Sequence, residues 1–167
     1  MPEVVFDCCV ISNFALSGSL SVLQSMFSGT SYITNFVSAE ISRGMQSGHG
    51  ELVSVKEALK DGWLLEIAPE TEEEKTLLEK LSVSLGFGEA SSIAVAMARD
   101  YLFACDDKVA RGEASILGIK LTGTIGILST AVKKSIINTK TANSYLKKMI
   151  AHGFYSPVTS INEIDSS

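Results

Sequence analysis

Cysteine is scarce in this 167-residue chain, and the three present, Cys8, Cys9 and Cys105, are odd in number. Two are adjacent, so they build neither a disulfide framework nor a Cys-x-x-Cys metal pair, and a reducing, cytoplasmic setting is expected. Only three prolines and no low-complexity run interrupt the sequence, which excludes extensive disorder. The two histidines, His49 and His152, lie too far apart for a His-Glu-x-x-His zinc helix, and nothing supports Ser-His-Asp catalysis. A phosphate-cradling Gly-x-x-x-x-Gly-Lys motif is also missing. No apolar run reaches bilayer length. The N-terminal segment has no basic residue before its apolar stretch, and Asp7 interrupts that stretch, so it does not read as a signal peptide.

What is present is an ordinary globular composition, 46% apolar and 20% charged. It predicts one domain over residues 1–155 and a loosely ordered tail over 156–167. The net charge of −5 argues against nucleic-acid binding if taken alone, but it is unevenly spread. Residues 1–80 carry five Lys/Arg against twelve Asp/Glu, whereas residues 81–167 carry nine against seven. Residues 131–150 hold five lysines and no acid, which is either a local basic surface or a solvated helix face.

Short apolar runs alternate with longer helical patterns. Strands are expected at 4–6, 31–34, 64–67, 101–105 and 119–122. Helices are expected at 11–16, 19–27, around Val37 to Gly44, and at 51–60, 70–85, 89–99, 108–117, 124–134 and 139–152, with Pro69 opening the acidic one. This order implies an α/β fold with a mostly parallel sheet covered on both faces. In such sheets the site lies beyond the carboxyl ends of the strands. Asp7 and Asp106 each terminate an apolar strand run and would emerge on one edge.

Taken singly, each acid has an ordinary explanation. Asp7 and the Asp106-Asp107 pair precede helices and could cap them; Glu89 sits in a first helical turn; Glu40 could face solvent. Together they would repel one another in one cleft unless a cation compensates or some stay protonated. All-oxygen ligation selects magnesium or manganese over zinc. An aspartyl-nucleophile phosphatase would carry a second acid where Cys9 stands, and a receiver domain would carry its acidic pair early.

The segment VVFDCCVISNFALSGSLSVL resembles the opening of PIN domains, a strand bearing an aspartate followed by a polar turn and helices. YITNFVSAEI resembles their second strand and glutamate-bearing helix. GFGEASSIAVAMARDYLFACDDKVARGEASILGIKLTGTIGILSTAVKKSII is similar to the second half of a VapC-like subgroup, with its Gly-Glu-Ala helix start, strand ending in Asp-Asp, Ala-Arg pair and Thr-Gly-Thr. The likeness covers most of residues 3–137.

The resemblance implies a PIN-like three-layer α/β/α fold with Asp7, Glu40, Glu89 and Asp106 as a catalytic, metal-holding quartet and Asp107 as a further ligand. It implies a magnesium- or manganese-dependent ribonuclease that is the toxin of a toxin–antitoxin pair, with RNA as substrate, an antitoxin as partner and a homodimer as its state. Many relatives carry Thr or Ser after the first aspartate, where Cys8 and Cys9 stand here. Ser12 and Asn13 match polar positions of the same pocket, or else cap the first helix. Lys108 and Arg111 would meet substrate phosphates, or else form surface salt bridges. Thr122 and Thr124 flank Gly123 where backbone amides could meet an anion, although ordinary turn chemistry also accounts for them. The alternative function is a PIN-fold RNA- or protein-binding module that has lost hydrolysis.

Overall fold

The computed structural model of the chain describes residues 2–165. Five strands, β1 (Val4–Phe6), β2 (Ser31–Thr34), β3 (Leu64–Ile67), β4 (Leu102–Ala104) and β5 (Leu121–Thr122), form one sheet. Every pairing is parallel and the order is β3-β2-β1-β4-β5. The expected α/β architecture, a parallel sheet between two helical layers, is the one observed.

β1 is central, and its three residues are wholly buried because both faces are covered. Val4 and Phe6 point into one core, with Phe14, Leu23, Ile33 and Leu128. Val5 points into the other, with Ile93, Phe103 and Ala110. The first core is roofed by α1 (Cys8–Leu16), α2 (Leu20–Phe27), α3 (Asn35–Gln46), α4 (Val53–Asp61), α8 (Thr124–Lys133) and α9 (Thr139–Ala151). The second is roofed by α5 (Glu72–Leu81), α6 (Phe87–Arg99) and α7 (Lys108–Ile116).

Several boundaries differ from expectation for local reasons. The acidic helix starts at Glu72, not beside Pro69. A capping box takes over: Thr71 Oγ1 accepts from the Glu74 N–H at 3.1 Å, and Glu74 Oε1 accepts from the Thr71 N–H at 3.0 Å. α3 runs past Gly44, because that glycine lets the 3-10 turn Gly50–Leu52 pack against it; a Cβ there would stand 2.7 Å from Leu52 Cδ1. α1 begins directly after Asp7.

Beyond α9 the chain does not simply trail away. Ile161 is fully buried and its N–H donates to Asn143 Oδ1 at 2.7 Å, ahead of the short α10 (Asn162–Asp165). The last two residues of the tail expected over 156–167, Ser166 and Ser167, lie outside the described residues. Among the described residues no single helix is long and apolar enough to cross a membrane.

Candidate functional site

The strand order places a topological switch point between β1 and β4: the chain leaves β1 toward β2 on one side and reaches β4 on the other. Loops diverge there and leave a crevice at the carboxyl ends of the strands. Asp7 and Asp106 follow those two strands. Phe6 is in register with Ala104, and the Asp7 N–H donates to the Ala104 carbonyl at 2.9 Å, so the two loops start side by side.

Asp7 occupies the N-cap position of α1, yet its side chain makes no capping hydrogen bond. It is 2% exposed, and Oδ2 meets Cys105 Sγ at 3.6 Å, a weak donor. Burial, reinforced by Glu89 and Glu40, pushes its pKa up to about 7, against a smaller opposing pull from the Cys8 amide.

Asp106 is held far more firmly. Oδ1 accepts from the Thr124 N–H at 2.9 Å, while Oδ2 accepts from Thr124 Oγ1 at 2.6 Å and Asn13 Nδ2 at 3.3 Å. The Thr-Gly-Thr turn, where backbone amides could meet an anion, receives the protein's own carboxylate at the N-terminus of α8. Gly123 makes this approach possible, since a Cβ there would lie 2.6 Å from Asp106 Oδ1. Asn13 also donates to Thr124 Oγ1 at 3.1 Å. It lies inside α1 and orients Asp106; neither it nor Ser12 caps that helix.

Glu40, on α3, and Glu89, in the first turn of α6, come from the opposite wall. Small residues let α6 close on the sheet, where Ser91 and Thr34 hydroxyls meet at 2.8 Å. Gly88 then lies flat against Glu40: a Cβ on it would overlap Glu40 Oε1. Burial and Asp107 raise the Glu89 pKa. Asp107 itself realises the capping alternative, because Oδ2 accepts from the Ala110 N–H at 2.8 Å at the start of α7.

The supporting residues separate into distinct duties. Arg111 Nη1 donates to the Cys105 and Thr122 carbonyls at 2.7 and 2.9 Å, tying the ends of β4 and β5 together. Lys108 is exposed and lines a cavity of about 490 Å³ with Cys8, Cys9, Ser12, Asn13 and Asp106. Burial pushes the Cys8 thiol up to about 12, so it is neutral at physiological pH, and Cys9 beside it is exposed. One turn on from Cys8, Ser12 Oγ sits 3.8 Å from Cys8 Sγ and brings a hydroxyl to the same wall. His152, Phe154 and Tyr155 line this cavity too. Sequence reasoning missed them, since they follow the last long helix and only the packing of α9 beside α1 brings them near.

Among the described residues no lysine or arginine forms an ion pair with any of these acids; the ion pair present, Arg99–Glu74, lies elsewhere. A buried carboxylate facing two others with only a thiol as side-chain donor is a group that a cation would relieve. The donor set is all oxygen, which suits magnesium or manganese. Among the described residues no three acidic, histidine or cysteine side chains are gathered into a ready cage. Magnesium does not require one: it keeps several waters and is commonly held by one or two carboxylates. The residues fit such an ion.

A sequence-family model described as a PIN domain matches residues 3–167. No curated protein matches the chain.

Proposed function

The chain belongs to the PIN-domain family, a nuclease-type fold, and from that premise we propose that it is a VapC-like, divalent-metal-dependent endoribonuclease, the toxin of a toxin–antitoxin pair. One observation carries this reading: Asp7 and Asp106 leave adjacent parallel strands at the switch point, and Glu40 and Glu89 bear on Asp7 from the facing helices.

Asp7, Glu40, Glu89 and Asp106 would hold magnesium or manganese, with Asp107 beside them. When bound, the ion supplies positive charge that activates water and neutralises charge building on the phosphate. The chain's own residues do the positioning. Thr124 and Asn13 fix both Asp106 oxygens, so that carboxylate needs no reorganisation when substrate arrives. Asp7, pushed up to about 7 in the metal-free chain, would hold the ion as its carboxylate, so ion and proton compete for it near neutral pH. Lys108 stands at the cavity mouth, where its ammonium meets a phosphate. An antitoxin presenting arginine would occupy the same acids.

A binding module without hydrolysis is favoured by one observation, the lack of a ready three-donor cage among the described residues. Incubation of RNA with the purified protein separates the two. Cleavage that stops with EDTA, returns with manganese and is abolished in Asp7→Asn is expected. Undiminished cleavage by Asp7→Asn overturns the site, and no cleavage at any manganese concentration leaves the binding module.

A further inference from the structure

The acid cleft has an aromatic ring on each side, and neither belongs to a core. On the α3–α6 wall, Phe87 is 61% exposed and stacks on Phe36 with ring centroids 5.6 Å apart and planes 22° off parallel. Both rings line a cavity of about 500 Å³ that also contains Glu40, Glu89 and Cys8, with Arg43 at its rim. On the opposite wall, Tyr155 is 97% exposed and lines the cavity that holds Asp106, with His152 and Lys108 beside it. Cys8, the residue after Asp7, borders both cavities, so the two hollows adjoin there. A large aromatic left in water gains nothing for the fold, and two of them bracketing one crevice call for an occupant with flat faces.

We propose that the two rings, Phe87 and Tyr155, are stacking platforms for unpaired nucleobases on either side of the phosphate that reaches the acids. This rests on the ribonuclease reading for the placement of the phosphate. Phe36 behind Phe87 fixes the orientation of that ring and leaves its outer face free. Arg43 on one side, and Lys108 with His152 on the other, put donors where the flanking phosphates of a splayed strand pass. A base within a duplex has both faces covered by its neighbours and cannot stack on a side chain, whereas an unpaired base can. Stacking is tolerant of base identity, so the platforms select for strandedness rather than sequence.

The test measures binding, not cleavage. Short mixed-sequence oligonucleotides, as single-stranded RNA, single-stranded DNA and duplex RNA, are titrated by fluorescence anisotropy in an Asp7→Asn background, which removes cleavage from the readout. Phe87→Ala and Tyr155→Ala are each expected to weaken single-strand binding about tenfold, while Tyr155→Phe retains it. Ile116→Ala, an exposed apolar residue on α7, serves as a control and changes nothing. Quenching of a 2-aminopurine placed in the strand is expected to disappear with either ring. Phe87→Leu keeps apolar bulk without an aromatic face, and loss of binding there excludes a packing defect.

Binding of the RNA or the DNA strand that depends on both rings supports the platforms. Equal affinity for duplex, or single-strand binding indifferent to both rings, overturns them. If the wild-type protein cleaves nothing while ring-dependent binding persists, the ribonuclease reading falls and the platforms stand.

Discussion

At the scale of single residues, the cleft is arranged at the expense of stability. Asp7 with a folded pKa near 7, against an ordinary value of 3.8, favours its protonated form in the folded state. Its penalty is therefore absent below pH 3.8, grows as pH rises and is complete above 7. In EDTA, Asp7→Asn is expected to be more stable than wild type at pH 8, by on the order of 4 kcal/mol. The gap should narrow as pH falls toward 4, as read by urea unfolding. A wild type more stable than the variant at pH 8 refutes the electrostatic account. Gly88 carries a complementary consequence. Alanine there displaces the end of a flexible side chain, Glu40, and not backbone, so the fold should change by less than about 1 kcal/mol. Moving one carboxylate by an ångström is expected to lower RNA cleavage about a hundredfold. Parallel measurement of Tm and turnover checks that separation.

At the scale of elements, what the sequence discloses depends on how local the signal is. β1, β2 and β3 were legible as short apolar runs with turn residues at their ends, and the structure places them where expected. α5 starts later than Pro69 suggests, because proline at a first turn is a general preference, while Thr71-x-x-Glu74 is a specific two-bond device. The start of α6 shows the same thing: Gly86-Phe87-Gly88 reads as a break, but Gly86 alone is the extended N-cap, and Gly88 is helical and lets Glu40 approach closely. Tyr155 and His152 had no local signal whatever; only tertiary packing brings them to the cleft. Glu74 offers a test on α5. Burial alone would raise its pKa, but the Arg99 guanidinium and the Thr71 and Glu70 N–H groups outweigh that and hold it at about 2. A lowered pKa stabilises fully above the ordinary value of 4.5 and is lost as pH falls toward 2. Glu74→Gln is thus expected to cost about 3 kcal/mol at pH 7, with the difference from wild type vanishing near pH 2. A difference that stays constant with pH would show that packing, not charge, is responsible.

At the scale of the whole molecule, repulsion among unpaired acids is a reserve that a cation can release. Manganese is expected to raise the Tm of the wild-type protein in proportion to the logarithm of its concentration, because it binds the folded chain preferentially. The rise should be small or absent in Asp7→Asn. Calcium-free thermal scans over a manganese series read it directly, and an equal rise in both proteins would place the ion elsewhere. The family, its parallel sheet and the crevice between β1 and β4 set where that ion would act.

The pairing of β1 with β4 also governs when, during synthesis, the cleft can exist. Cys105 and Asp7 are 98 residues apart in sequence, yet they touch. A nascent chain emerges N-terminus first. A ribosome-held fragment ending before Ala104 already carries Asp7, Glu40 and Glu89 but has no strand to lay along the exposed edge of β1. Closing so long a loop is also slow compared with forming local helices. Asp7, Glu40 and Glu89 are therefore translated before the wall that carries Asp106, and the acid cleft is complete only once β4, and then the Thr124 turn that grips Asp106, have left the ribosome.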